Sequence, residues 1–506
     1  MTLGKTLLPV LLIAAILLPV SQPTRTVIAQ DDYWPTNGWR TSTPEEQGLD
    51  SAQLMDVLKI MEEGERTSVI NSLLVIRHGY VVLDASVAPF RTDAPHQLYS
   101  VTKSFMATLV GIAIDKGYIE GVDQSIWDFF DASSTAAMDE RKQGIVLENL
   151  LTMTSGLNVA GISNDMYALG PDDPAWIQFV LDQEMVAEPG KQFDYSDCVA
   201  QLTSGIITQA TGMSAAEFAQ EKLFAPLGIT NTTWSADPQG VSIGGDAFNA
   251  TPYDMAKLGY LYLHGGEWDG QQIVSSDWVT TATTLYECSD CPFYGYYWWL
   301  PDPANLPPDV PSYYWAGGYA GQNIIVFPDK DLIIVFTGGA FTDDDNSQVI
   351  ESILPALQSD EPLPANPDAV AELTATVERL ANPTPEPVPA APAIAESVSG
   401  VTYTLRDNPM GWTTLALEFG ETEALLHLDG QDGTLELVVG LDGVYRLNTV
   451  MRPPTVRPLR FDYWALPRIP ETTFAAKGFW VGDAGFTVVM RDTVGVESWL
   501  LGFNFK

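Results

Sequence analysis

Tyr99-Ser100-Val101-Thr102-Lys103-Ser104-Phe105 is the stretch whose reading decides the fold. A serine and a lysine stand three positions apart, after the strand-like residues 96–99 and at the start of an apolar run that reads as a buried helix over 101–116, ended by Gly117. Positions i and i+3 are neighbours on a helical face, so the Lys103 amine reaches the Ser100 hydroxyl. The chain has four histidines, His78, His96, His264 and His427, and none sits in a recognisable triad setting. A serine enzyme built on this sequence therefore uses lysine where others use imidazole. A free lysine amine titrates near 10.4, so acting as a base near neutral pH requires a drop of roughly three units, about 4 kcal/mol. A helix N-terminus supplies only about 0.3–1 kcal/mol of that. Burial and a second proton carrier must supply the rest. Tyrosine is the natural second carrier, which directs attention to Phe193-Asp194-Tyr195-Ser196-Asp197 and the helix-like run that follows it to Thr208.

Ser-x-x-Lys alone is a weak motif: roughly half a match is expected by chance in a chain of this composition, and Ser100–Lys103 is the single one present. The rest of the sequence gives it a setting. At 506 residues, with 46% hydrophobic and 18% charged residues, the chain is globular and longer than one ordinary domain. A formal charge of −40 argues against nucleic acid or an anionic membrane as the main partner and reads chiefly as solubility. Lys5, an apolar run from Leu7 to Val20 and the small-residue site Val27-Ile28-Ala29 read as a secretory signal peptide over 1–29, with an uncleaved anchor as the alternative. The expectation is an exported protein, secreted or otherwise extracytoplasmic, with no stable membrane insertion after cleavage. In that compartment Cys288-Ser289-Asp290-Cys291 reads as a short-loop disulfide rather than a redox pair or half a metal site, and Cys198 as a buried thiol.

Three regions follow the leader. Residues 30–358 alternate strand and helix patterns: strands at 72–77 and 80–85 joined at His78-Gly79, a capping box at Ser214-Ala215-Ala216-Glu217 opening a helix that stops before Pro226, strands at 323–327 and 332–337, and a closing helix over about 346–357. Strands from both ends of the region, with helices between, predict an α/β (α+β) sandwich whose antiparallel sheet is closed by both ends of the sequence. Residues 359–395 are rich in Pro, Ala and Glu, with a short helical pattern over 369–380, and read as a semi-rigid linker. In 396–506 short alternating runs punctuated by Asp429-Gly430, Asp432-Gly433 and Asp442-Gly443 predict a small antiparallel β-barrel or sandwich.

Taken together, Ser100-Val101-Thr102-Lys103, Tyr195-Ser196-Asp197, Leu150-Leu151-Thr152-Met153-Thr154-Ser155-Gly156-Leu157, Leu223-Phe224-Ala225-Pro226-Leu227-Gly228-Ile229 and Gly318-Tyr319-Ala320-Gly321-Gln322 resemble the class C β-lactamase-like serine hydrolases over about residues 40–357. That group includes β-lactamases, D-alanyl-D-alanine peptidases, family VIII esterases and 6-aminohexanoate-dimer hydrolases. The C-terminal region more loosely resembles the lipocalin-like modules of some members. The resemblance implies a β-lactamase/transpeptidase-like fold, Ser100 as nucleophile, and Lys103 with Tyr195 sharing the acid/base role. It also implies an oxyanion hole from the Ser100 amide and an edge-strand amide at Tyr319, with Gly318, Gln322 and Asp197 around the substrate. No metal or organic cofactor is needed.

Two positions depart from the family. Its Tyr-x-Asn ends here in Asp197, and an ionised carboxylate accepts hydrogen bonds but cannot donate one to a substrate carbonyl. A negative charge there also raises the Lys103 pKa and opposes its role as a base. Asp197 has three further readings: a protonated carboxyl, a partner holding Lys103, and a cap for the following helix. The basic Lys/His-Thr-Gly triplet is replaced by Ala316-Gly317-Gly318, which removes the grip on a substrate carboxylate. Both changes favour esters or uncharged amides over β-lactams or D-Ala-D-Ala peptides. The expected partner is thus a small ester, amide or peptide substrate. The alternatives are a β-lactamase or D,D-carboxypeptidase, and, in another class, a non-catalytic binding protein on a penicillin-recognising fold. The aromatic segments at 294–299 and 313–315 read as core-packing strands first and as the lining of an acyl pocket second, and His96 reads as a surface or loop residue.

Overall fold

The computed structural model describes residues 33–64, 70–288, 291–308, 310–339, 345–408, 411–430, 433–451 and 471–505. The signal-peptide reading of 1–29 lies outside them. The main sheet has six strands: β1 (Arg40–Thr41), β2 (Ser72–Arg77), β3 (Tyr80–Ser86), β4 (Tyr314–Gly318), β5 (Gln322–Phe327) and β6 (Leu332–Thr337), in the order β1-β3-β2-β6-β5-β4. The short β1 pairs parallel with β3, and every other pairing is antiparallel. β2 joins β6 from Arg77↔Leu332 to Ser72↔Thr337, so the two ends of the region meet at the centre of the sheet as expected.

The apolar runs are continuous because both faces are covered. Successive side chains alternate between faces: Leu74, Ile76, Ile324, Val326, Ile333 and Val335 join one core cluster, while Leu73, Val75, Ile325, Phe327, Ile334 and Phe336 join another. The first cluster contains the helices Val101–Asp115 and Pro252–Leu263 and the helical region around Asp197–Thr211. The second packs beneath Ser51–Glu63 and Asp345–Ile353.

Two boundaries differ from the sequence reading. The helix opened by the Ser214–Glu217 capping box runs through a π-helical turn, Gln220–Phe224, and on to Ala225–Leu227, so Pro226 lies inside the helical path. The widened turn relaxes the i→i−4 ladder just ahead of the residue that cannot donate to it. The linker is also not a free spacer along its whole length. Its helix, Pro367–Ala381, buries Leu373 and Leu380 in the second core cluster, and Ala88 N donates to Leu380 O at 3.0 Å. The helical pattern over 369–380 is legible in the sequence, but the sheet face that the buried Ala369, Leu373, Thr376 and Leu380 cover is not.

The C-terminal region forms one eight-stranded sheet from β7 (Tyr403–Thr404), β8 (Trp412–Phe419), β9 (Glu423–Gly430), β10 (Gly433–Gly440), β11 (Arg446–Met451), β12 (Glu471–Val481), β13 (Gly485–Asp492) and β14 (Ser498–Asn504). The order is β7-β8-β9-β10-β12-β13-β14, with β11 also paired to β12. It curls around Leu417, Leu426, Leu437, Phe474 and Phe486, bringing the Tyr403 and Phe505 rings of its two edges to 6.1 Å.

Candidate active site

The nucleophile segment is held in an uncommon conformation. Tyr99, a non-glycine residue, has φ +48°, and Ser100 follows as the residue that starts the helix Val101–Asp115. The Ser100 hydroxyl makes no capping bond to that helix, so it stays available to its neighbours. Lys103 lies one turn on, wholly buried, and its ammonium donates three bonds: to Ser100 Oγ at 2.9 Å, to Asp197 Oδ1 at 2.6 Å and to Gly245 O at 2.7 Å. The same nitrogen stands 4.8 Å from the centroid of the Tyr195 ring. Ser100, Lys103 and the Tyr195 ring thus lie together.

Asp197 has a role that the family pattern did not supply. It is buried and forms an ion pair with Lys103. Ser196, not Asp197, caps the helix Asp197–Thr211, accepting from Cys198 N at 3.2 Å. The carboxylate is therefore spent on the lysine rather than on a substrate carbonyl. An ammonium donating to three acceptors has no lone pair, so it can take the serine proton only after giving one up.

Tyr195 is fixed by aromatic neighbours. Trp299 stacks on it at 5.6 Å and 30°, and Tyr294 meets it edge-on at 6.2 Å. Tyr294, Tyr296, Tyr297 and Trp298 are buried in the core, so most of that segment packs, as the commoner reading held. Trp299 and Tyr294 are the members that meet Tyr195.

The edge strand β4 closes the other side. A Cβ on Gly318 would overlap the Leu98 carbonyl and lie 3.3 Å from Ser100 N, so only glycine lets the strand come this close to the nucleophile's amide. Tyr319 follows in the turn to β5, where Ala320 has φ +59°, and its ring packs 5.5 Å from that of Tyr99. Gln322 does not offer its amide to a substrate. It is fully buried and donates to Tyr319 O and Gly338 O, both at 3.0 Å, while accepting from Gly338 N, which fixes the turn that carries Tyr319.

Three participants had little sequence signal. Gly245 supplies a lysine acceptor through its main chain, which no side-chain pattern reveals. Asp246, beside it, is buried, accepts from Gln97 Nε2 at 3.1 Å, and is pushed up to about 6 by burial and by the nearby Asp197 charge. Gln97 lies in the two-residue strand His96–Gln97, which pairs with Phe248–Ala250. His96 is buried rather than superficial, and burial pulls its pKa down. Cys288 and Cys291 form a disulfide, and the Cys198 thiol is buried and pushed up to about 12. Among the described residues no group of three or more His, Cys, Asp or Glu is placed to hold a metal ion, and no helix is long and apolar enough to cross a membrane.

The beta-lactamase family model matches residues 59–353, more than half of the chain. The 6-aminohexanoate-dimer hydrolase of Paenarthrobacter ureafaciens is 25% identical over 251 residues, a match that covers 48% of this chain and 64% of that relative, short of two thirds of its length. Among solved structures, EstCE1, a hydrolase with promiscuous acyltransferase activity, superposes with a TM-score of 0.51 at 17% identity, over 61% of this chain and 99% of its own. A family VIII carboxylesterase does so with a TM-score of 0.50 at 17% identity, over 63% and 99%. These two likenesses show the fold, and the family match rests on the same region that carries Ser100, Lys103, Tyr195 and Gly318: the chain belongs to the beta-lactamase family.

Proposed function

We propose that this protein is an exported serine hydrolase that cleaves an ester or uncharged amide through an acyl-enzyme on Ser100. The observation that carries the reading is the 2.9 Å contact between Lys103 Nζ and Ser100 Oγ at a helix N-terminus, with the glycine end of an edge strand against the Ser100 amide. Lys103 first releases one proton to solvent; as Ser100 Oγ then attacks the carbonyl carbon, its proton passes to the neutral Lys103 amine, with Tyr195 sharing the acid/base role. The tetrahedral oxygen is met by the Ser100 amide and the edge-strand amide at Tyr319. Collapse expels the alcohol or amine, which receives the proton, and water then releases the acid by the reverse sequence. Asp197 serves as the lysine's counter-charge. The absence of a basic side chain along β4, Tyr314–Gly318, favours substrates without a carboxylate beside the scissile bond. The relative and neighbours named hydrolase and carboxylesterase support the class, and the leader-like N-terminus with the Cys288–Cys291 disulfide supports export.

The test is labelling with a fluorophosphonate probe followed by peptide mass analysis. The expected result is one adduct on the Ser100 peptide, lost in Ser100→Ala together with turnover of p-nitrophenyl esters. An unlabelled folded protein, or undiminished turnover in Ser100→Ala, refutes the reading. The triple-bonded Lys103 favours one second reading, a binding protein on the same fold that acylates without release. It predicts a stable adduct and no steady-state turnover.

A further inference from the structure

The turn at 492–497, between β13 and β14 of the C-terminal sheet, reaches the nucleophile segment. Gln97 N donates to Val494 O at 2.7 Å, three residues before Ser100. The Val496 main chain lies beside the Tyr99 hydroxyl, and a Cβ built on Gly495 would stand 3.8 Å from that hydroxyl. The turn is itself rigidly made. The Asp492 carboxylate, buried to 1% exposure, accepts from Val494 N at 3.0 Å and Gly495 N at 3.1 Å, and Asp492 N donates to Glu497 O at 2.9 Å.

From that contact two short routes run to the reacting groups. Tyr99 is the left-handed residue directly before Ser100, and its ring packs on Tyr319 at the oxyanion side. Gln97 is pinned by Val494 through its main chain, and its side chain holds Asp246. Asp246 adjoins Gly245, whose carbonyl takes one of the three Lys103 protons.

We propose that the turn 492–497 is a positioning element of the Ser100 site, acting through Tyr99 on the nucleophile and through Gln97 on the lysine. This deepens the hydrolase reading and rests on it. The C-terminal sheet is then a working part of the active site.

The experiment uses the full chain and measures the burst of p-nitrophenol from a p-nitrophenyl ester. That gives an acylation rate per titratable site, so loss of folded protein does not count. Gly495→Leu places a side chain against Asp492 Oδ2, 3.2 Å from its Cβ, and against Tyr99 from outside, displacing the turn, and Gln97→Leu cuts the other route from inside at similar volume. A misplacement of about 1 Å costs about 100-fold in such sites, so each variant is expected to acylate at least about tenfold more slowly with KM little changed. Gly482→Asn, in the turn at the other end of the hairpin, where φ is +61° and a Cβ meets nothing, keeps the parental rate. A parental acylation rate per site in either Gly495→Leu or Gln97→Leu overturns the proposal. Failure of the hydrolase reading is a separate result, because the parent itself would then give neither burst nor Ser100 adduct.

Discussion

Replacing Asp197 by asparagine separates the lysine's charge from its geometry. The side chain keeps its shape and keeps an oxygen for Lys103 to bond, but the carboxylate 2.6 Å from the ammonium is gone. Two unit charges at that distance attract by about 6 kcal/mol at an effective dielectric of about 20. Much of that is offset by desolvation, and an opposite charge this close in a protein moves a titration by about 1–3 units. The carboxylate stabilises the protonated lysine, so removing it makes the proton easier to lose. The acid limb of the kcat/KM profile, followed with a p-nitrophenyl ester from about pH 5 to about pH 9, should therefore move down by about 1–3 units. Activity at neutral pH should rise by at least about tenfold. Asp197→Ala serves as the contrast, since it also deletes the acceptor and leaves a buried cation short of a partner, at about 3–5 kcal/mol of stability. A profile that stays in place in Asp197→Asn, or moves up, would refute the idea that Asp197 holds the lysine charged. A loss of activity at every pH would show instead that the carboxylate carries a proton during turnover.

Gly318→Ala should drive β4 away from the Ser100 amide; loss of one oxyanion donor costs about 100- to 1,000-fold in kcat, readable by active-site titration. Asp246 has its pKa raised from 3.8 to about 6 in the folded protein. The fold therefore binds that proton more tightly than the unfolded chain. The stabilisation is complete below about pH 4 and is lost as pH rises through about 6, by about 3 kcal/mol at most. Asp246→Asn should abolish this decline, measured as Tm against pH, and an unchanged slope would count against it. Leu373→Ala should cost about 2–5 kcal/mol in denaturant unfolding if the helix Pro367–Ala381 is part of the core, whereas an exposed spacer would lose almost nothing.

The parts of the molecule that sequence exposed are those whose signal is local. Ser100 and Lys103 are one helical turn apart, and the apolar runs of β2, β5 and β6 show their strands directly. Tyr195 was reachable by a chemical argument, because a lysine base needs a second proton carrier. What stayed hidden depends on distant segments meeting. Asp197 carries several readings in the sequence, a partner for Lys103 among them, and only the fold selects that one. Gln322 reads equally as a substrate contact or a structural residue, and only the fold shows its amide consumed by Tyr319 and Gly338. Gly245 acts through its carbonyl, and main-chain acceptors leave no mark on residue type. The docking of Leu373 and Leu380 required knowledge of which sheet face lacked a cover.

The central pairing of β2 with β6 carries a consequence for how the chain becomes active. Strands that are neighbours in space lie some 260 residues apart along the chain, as Ser72↔Thr337 shows. The buried Arg77 guanidinium completes this junction by holding Gln47 O at 3.0 Å and Ser359 O at 2.7 Å. A sheet of this order cannot zip up from its N-terminal end: β2 and β3 form a hairpin whose inner edge stays open until residue 337 has been made. Closing so large a loop is slow, and contact order of this kind delays folding. During synthesis the segment 99–105 therefore exists without β4 beside it, and so without an oxyanion pocket. On the hydrolase reading, Ser100 is then made early and armed late, so the unfinished chain carries its serine without the means to use it.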